Sequence, residues 1–300
     1  MKLLNFYTAE NDLHLGVVEN GQVFDLSAAI PAKIAFSSVV EFVRGGPEAI
    51  CEAEAALPRY REEHFRWRPF ETLEHGPLIS REGRIFAVGL NYADHAAENH
   101  LPPPDSPIIF TKLASGVTPH NRAVALPACS SQVDYEAEFA FMISRAAKGV
   151  SETDGVRFIA GYTIMNDVTA RDLQFQDKQW FRGKNCDGFA PLGPYLVTAD
   201  ELSNSDNLEI KLTLNGQVMQ HSNTRNLFFK PPTLIAYLSQ TLGLEAGDVI
   251  ATGTPAGIGY FLNPQVFLKP GDVMEVEVER IGVLRNSICA PQAGLERCDA

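Results

Sequence analysis

Three hundred residues and 32.9 kDa, with 45% hydrophobic and 21% charged side chains, are enough to bury a large core and exclude a disordered chain. Lys and Arg total 25 against 37 Asp and Glu, and the formal charge of −12 repels phosphate backbones and sets nucleic-acid binding aside. Five cysteines (Cys51, Cys129, Cys186, Cys289, Cys298) without a CxxC pair, early charged residues and no apolar run near the ~20 residues of a membrane span predict a cytoplasmic, reduced protein that enters no membrane.

In chain order, HLGVVENGQVFDL carries Asn20-Gly21 between two apolar alternations, a type I′ hairpin signal. FSSVVEFVRGGPEAICEAEAAL is helical in pattern and interrupted at Gly45-Gly46, and the charged, proline-bracketed residues 58–77 read as a connector. A small N-terminal domain over 1–72 and a larger domain over 73–300 are therefore expected. Beyond the connector come short strands: IFAVGLN, PIIFTK, VDYEAEFAFMIS, FIAGYTIMND, YLVTA, LEIKLTLNGQVMQ, DVIATG and DVMEVEVE, with Asn215-Gly216 as a second hairpin. Helices are few, at roughly 93–100, 169–177 and 232–242, the last with Pro232 in its first turn. Many strands and few helices predict a β-rich α+β fold, a barrel or rolled sheet, and argue against a doubly wound one. The tail APQAGLERCDA lacks periodicity.

VDYEAEFAFMI carries the densest chemistry. Alternation along a strand places Asp134, Glu136, Glu138 and Ala140 on one face, with Val133, Tyr135, Ala137, Phe139, Phe141 and Ile143 on the other. Carboxylates so spaced repel each other, which is tolerable in water or around a cation; Glu275, Glu277 and Glu279 of DVMEVEVE suit the solvated case. In FIAGYTIMNDVTARDLQ a strand runs into Asp167 and then a short helix presenting Arg171 and Gln174 on one side. Asp167 is either an N-cap of that helix or a third carboxylate beside Glu136 and Glu138. The second arrangement makes an oxygen-only site for Mg²⁺, Mn²⁺ or Ca²⁺. Three carboxylates and a divalent ion leave about one negative charge, so an anionic substrate needs cations nearby, for which Arg171, Lys184 and Lys112 are the candidates. In GLNYADHAAENH, His95 and Glu98 project from one side of a short helix. A carboxylate on one ring nitrogen fixes the tautomer and leaves the other to take a proton. His100 and His120 read as ordinary loop histidines. Phe175, Trp180, Phe181, Phe189 and Tyr195 are candidates for either pocket walls or core, and a GxSxG nucleophile elbow is absent.

GLNYADHAAE, PIIFTK, DYEAEFAFMI, AGYTIMNDVTARDLQ, GKNCDGFAPLGPYLVT and DVIATGTPAGIG, in this order, resemble the fumarylacetoacetate hydrolase family over about residues 84–288. The resemblance implies a mixed β-roll catalytic domain with a small N-terminal α/β domain, a homodimer, and a Mg²⁺ or Mn²⁺ site. Matched position by position, the metal carboxylates fall on Glu136, Glu138 and Asp167, and the His-Glu pair on His95 and Glu98. The polar residues facing substrate fall on Arg171, Gln174 and Lys184, with Lys112 and Thr254 as looser matches, and Asp134 as a motif acid outside the ligand set. Leu113, Ala190, Gly188 and Asn185 depart from the family's usual Pro, Cys, Thr and Ser, on loops that bear on substrate choice. The implied activity is metal-dependent hydrolysis of a carbon–carbon bond in a 2,4-dioxo acid of the acylpyruvate or fumarylpyruvate type, in aromatic or sugar-acid catabolism. In that reading His95, oriented by Glu98, activates water, and Lys184 with Arg171 and Gln174 stabilises the developing charge. The same chelated enolate also serves isomerisation of 2-hydroxymuconate-type dienoates, decarboxylation of oxaloacetate-like acids and dehydration of keto-deoxy sugar acids. A non-catalytic binding module is the reading from another class.

Overall fold

The computed structural model describes residues 1–29, 36–61 and 67–291. Among them a twelve-stranded sheet and a five-stranded sheet dominate. At the centre of the larger sheet lies Ala137–Ile143, antiparallel to both Ile159–Asn166 and Val249–Ala251. Ile159–Asn166 continues to Ala190–Thr198, and Val249–Ala251 runs parallel to Arg84–Gly89, which pairs with Ile108–Leu113. The smaller sheet is built around Glu209–Leu214, Gln217–Asn223, Val273–Val278 and Gly282–Cys289.

The alternation in the central strand sorts two cores. Phe139 and Phe141 pack with Ile210, Leu212, Met274 and Val276 of the smaller sheet. Ala140 and Met142 face the opposite way, into a core with Leu3, Val17, Phe24, Val40, Phe42 and Leu57. Each strand residue here is buried because both faces are covered, which is why the acids of this segment are not solvated. Glu275, Glu277 and Glu279, by contrast, are half-buried or exposed at the outer face of the smaller sheet.

Both Asn-Gly hairpins form, with Asn20 and Gly21 at φ 50° and 73° and Asn215 and Gly216 at 53° and 79°, the left-handed pair that a type I′ turn requires. The helix Val39–Arg61 kinks at Gly46, where the backbone leaves helical geometry, as the Gly45-Gly46 interruption predicts. Helices at Ala93–Glu98, Arg171–Gln176 and Pro231–Thr241 match the three expected ones.

The connector reading of 58–77 is corrected where the chain is described; residues 62–66, like 292–300 of the tail and Cys298, lie outside the described residues. The helix carries through Pro58 to Arg61, Trp67–Pro69 pairs with Gln22–Asp25, and Glu74–His75 pairs with Lys2–Tyr7. Lys2–Tyr7 in turn pairs with Ala190–Thr198, so the N-terminal strands extend the central sheet. Among the described residues no helix is long and apolar enough to cross a membrane.

His120 is also corrected: it is buried, accepts the Arg285 backbone N–H at 3.1 Å, and its ring centroid lies 4.9 Å from that of His75. Burial lowers His75 to about 4 and His120 to about 3, the latter aided by the charges of His75 and Arg285. Both folded values lie below the unfolded value, so the unfolded chain takes up protons first. Stability is therefore intact above pH 6.5 and falls as pH drops from about 6.5 towards 4. At pH 5 the loss should reach about 2 kcal/mol per histidine. Melting curves at pH 7.5 and 5 should show a fall of several degrees, and His75→Phe, which keeps a ring against Phe70 and His120, should shrink it.

Candidate active site

The register of one strand pair assembles the acids. Ala137 stands opposite Asn166, so the residue before the first and the residue after the second, Glu136 and Asp167, meet at the same sheet end. The Asp167 N–H donates to the Glu136 carbonyl at 2.9 Å, and the Asn166 side-chain oxygen accepts from the Glu136 N–H at 3.0 Å. Glu138 lies one turn of the pleat further along. Carboxylate oxygens of Glu136, Glu138 and Asp167 lie within 4.8 Å of one another, and all three residues are buried. Asp167 is thus a member of this cluster.

Cations hold two of the three. Lys184 Nζ donates to Glu136 Oε2 at 2.9 Å and to Asp167 Oδ2 at 2.7 Å, while Lys112 Nζ reaches Asp167 Oδ1 at 2.6 Å and the Val168 carbonyl at 3.1 Å. Arg171 Nη1 lies 2.7 Å from Glu136 Oε1 and donates to Gln174 Oε1 at 3.1 Å; its Nε donates to Asp134 Oδ2 at 2.9 Å. Burial alone would raise the Glu136 carboxyl, but Lys184 and Arg171 outweigh it and bring it down to about 2. The same burial lowers Lys112 and would lower Lys184, which Asp167 and Glu136 instead hold above its usual range.

Glu138 differs. Its Oε2 accepts the Gly253 N–H at 3.0 Å, and among the described residues it forms no ion pair. Burial and the charges of Asp167 and Glu136 raise its carboxyl well above the ordinary range. Gly253, at φ +95°, lets the loop come this near, since a Cβ there would sit 2.8 Å from the Val88 carbonyl. Counted as fully ionised, four buried carboxylates (Asp134, Glu136, Glu138, Asp167) against three buried cations carry a formal charge of −1. A divalent ion turns that into one positive charge. The oxygen-only donor set and the unpaired Glu138 both fit a hard divalent cation.

Asp134 stands apart from the triad, in the short strand Val133–Asp134 paired with Thr169–Ala170. It accepts backbone N–H groups of Gly259 and Tyr260 at 2.9 and 3.0 Å as well as Arg171, so it anchors the loop over the site.

His95 and Glu98 do project together from the helix Ala93–Glu98, with His95 Nδ1 3.3 Å from Glu98 Oε2; Glu98 Oε1 accepts the Gly257 N–H at 3.0 Å. Asp94, unremarked in the sequence, caps the His95 N–H at 2.7 Å and accepts a short hydrogen bond from Ser222 Oγ, which ties the helix to the smaller sheet. A cavity of about 190 Å³ is lined by His95, Glu136, Arg171, Gln174, Lys184 and Thr254 on its polar side. Leu101, Phe110, Phe175, Trp180, Ile258 and Phe261 form its apolar walls. Of the five aromatic candidates, Phe175 and Trp180 line this cavity, Phe189 is core, Phe181 is exposed, and Tyr195 donates to the Ile281 carbonyl away from the site. Lys112 does not line the cavity; its ammonium is committed to Asp167 from behind. Among the described residues the buried Arg171 Nη2 has no hydrogen-bond partner, a donor left over on a side chain that lines the cavity. A larger groove of about 1100 Å³, between the N-terminal strands and the end of the smaller sheet, holds no such cluster among the described residues.

Asn185, one of the four departures, accepts the Leu113 N–H at 2.6 Å and donates to the Thr111 and Phe181 carbonyls at 3.1 and 2.9 Å. It fixes the helix Phe181–Lys184, and with it Lys184, against the strand Ile108–Leu113 that carries Lys112.

The family model described as fumarylacetoacetate (FAA) hydrolase C-terminal matches residues 84–289. The chain is 38% identical over 296 residues to the oxaloacetate tautomerase fahd2, mitochondrial, of Xenopus laevis, covering 96% of this chain and 90% of that protein. It superposes on a fumarylacetoacetate hydrolase of Exiguobacterium antarcticum with a TM-score of 0.85 and 32% identity, covering 97% and 99% of the two chains. On maleylpyruvate hydrolase of Sphingobium the TM-score is 0.80 at 27% identity, covering 97% and 100%. From its sequence motifs, its fold and the matches along nearly its whole length, the chain belongs to the fumarylacetoacetate hydrolase family.

Proposed function

We propose that this protein is a divalent-metal-dependent enzyme that moves a proton at the carbon next to the keto group of a 2-oxo acid, and that keto–enol tautomerisation of an oxaloacetate-type acid is its activity. The observation that carries the reading is the buried Glu136–Glu138–Asp167 cluster, whose Glu136 lines one cavity with His95, Arg171, Lys184 and Thr254. The near full-length resemblance to a tautomerase adds to it. A Mg²⁺ or Mn²⁺ ion held by the triad would supply Lewis-acid acceptance of the charge that develops on the 2-oxo oxygen. The protein's own groups do the rest. Arg171, through its unpartnered Nη2, and Lys184 bind the carboxylate and balance its charge. His95, oriented by Glu98, takes the proton from C3; the electron pair of that C–H bond closes the C2–C3 double bond as the C2–O π pair moves onto oxygen, which takes a proton from water, and the hydroxide left recovers the proton from His95. The reverse sequence returns the proton to C3.

The acylpyruvate hydrolysis expected from the sequence is the second reading, and the apolar walls favour it, because Phe110, Phe175, Trp180 and Phe261 suit an uncharged acyl group better than a second carboxylate. In it a water deprotonated by His95 attacks the C4 carbonyl, the C3–C4 bond breaks to release the carboxylic acid and the enolate of the 2-oxo acid, and that enolate takes the His95 proton at C3. Ultraviolet decay of the enol band of oxaloacetate and of acetylpyruvate, with Mn²⁺ and with chelator, tests both. Metal-dependent exchange of C3 hydrogens in D₂O without cleavage supports tautomerisation, while acetate and pyruvate from acetylpyruvate support hydrolysis. Neither exchange nor turnover on either acid refutes the assignment.

A further inference from the structure

We propose that Gln220 is a positioning residue that fixes the Thr254 hydroxyl as a hydrogen-bond donor to the bound acid. Gln220 lies on the strand Gln217–Asn223 of the smaller sheet and is buried, outside the motifs that mark the site. Its amide orientation follows from its neighbours. The backbone N–H of Ala137, between Glu136 and Glu138, can only donate, and it lies 2.8 Å from Oε1. The Pro255 carbonyl can only accept, and it lies 2.8 Å from Nε2. The second Nε2 hydrogen therefore points at Thr254 Oγ1, also at 2.8 Å. A hydroxyl that receives a hydrogen there must turn its own proton elsewhere. Among the described residues the Thr254 hydroxyl makes no other hydrogen bond, and its side chain lines the cavity with Arg171, Lys184 and His95. One amide thus joins the strand of the acidic cluster to the loop over the cavity and sets the polarity of a cavity-facing hydroxyl. An acid oxygen entering the site meets a donor already aligned, with no rotor to freeze.

This assignment rests on the cavity being a 2-oxo acid site, and the test separates the two. The probe is oxalate, titrated calorimetrically into the Mn²⁺-loaded protein, with Mn²⁺ affinity and melting temperature recorded for each variant. Thr254→Val should weaken oxalate about tenfold and Thr254→Ser should restore it. Gln220→Glu keeps an acceptor for Ala137 but presents a carboxylate that captures the Thr254 proton; it should weaken oxalate about tenfold while Mn²⁺ affinity changes by no more than about threefold. The double variant Gln220→Glu/Thr254→Val should bind oxalate no worse than Thr254→Val alone, a non-additivity that neither added charge nor general loosening produces. Gln220→Met, uncharged and of similar length, goes through the same cycle and answers if the glutamate variant fails to fold. Additive losses, or unchanged oxalate binding in Thr254→Val, overturn the assignment with the site reading intact. Failure of the wild-type protein to bind oxalate with Mn²⁺ overturns both.

Discussion

Glu138→Gln should abolish Mn²⁺ binding yet leave the metal-free protein melting at or above the wild-type temperature, whereas Glu136→Gln should lose both the metal and much of the fold's stability. The two residues are two positions apart on one strand and equally deep, so the contrast comes from their partners. Glu136 is paired at both oxygens, with Arg171 at 2.7 Å and Lys184 at 2.9 Å. Removing its charge takes one carboxylate partner from each of two buried cations, leaving Arg171 to Asp134 and Lys184 to Asp167, and breaking buried pairs of this kind costs up to about 3–5 kcal/mol. Glu138 has one backbone donor and no ion pair among the described residues, so its charge has no protein cation to lose. What it keeps is a carboxylate oxygen within 4.8 Å of the other two, and a vacancy in the ligand set follows when an amide replaces it. Calorimetric Mn²⁺ titration and thermal melts with and without chelator check both halves. Mn²⁺ binding retained by Glu138→Gln would refute the metal assignment.

The second large effect is expected at His95. His95→Ala should lower kcat on the best 2-oxo acid by about 10²–10⁴ while oxalate still binds to the Mn²⁺-loaded protein, because a general base contributes that much to rate and little to ground-state affinity. Glu98→Gln should cost less. Its Oε2 is 3.3 Å from His95 Nδ1, but the helix that carries both is also tied by Asp94 to Ser222 and by Asn91 to the Phe229 and Thr252 carbonyls at 2.9 and 2.8 Å. Steady-state kinetics in parallel with oxalate titration separates the base from a structural role: loss of oxalate binding together with activity would make His95 a wall of the cavity, and an unchanged kcat would remove it from the chemistry.

Residues that carry chemistry were the more legible part. Glu136, Glu138, Asp167, Arg171, Gln174 and Lys184 stand in long ordered motifs; the structure clusters the three acids and places Glu136, Arg171, Gln174 and Lys184 on one cavity. Lys112 was legible as a nearby cation, but its side of the cluster was not, since nothing local says whether a lysine braces an acid from behind or faces the cavity. Asp94, Ser222 and Gln220 are not marked in the sequence because their work is done through distant contacts, Asp94 with Ser222 across 128 residues and Gln220 with Thr254 and Ala137 across 34 and 83, and none is an unusual residue type for its position. Lys2–Tyr7 and Gly282–Cys289 were likewise not singled out as strands. The first becomes one by pairing with Ala190–Thr198 and Leu13–Glu19, the second by closing the smaller sheet against Val273–Val278.

Local patterns by themselves determined the hairpins, the kink at Gly46, the β-rich class and which acids alternate, because each of these depends on backbone preferences and spacing within a few residues. Only the tertiary structure decided that both faces of the acidic strand are covered, and so that its carboxylates are buried groups in need of cations. It also decided, through the Ala137–Asn166 register, that Asp167 stands beside Glu136. Burial and register are properties of what packs against a segment, and a segment's own residues do not contain them.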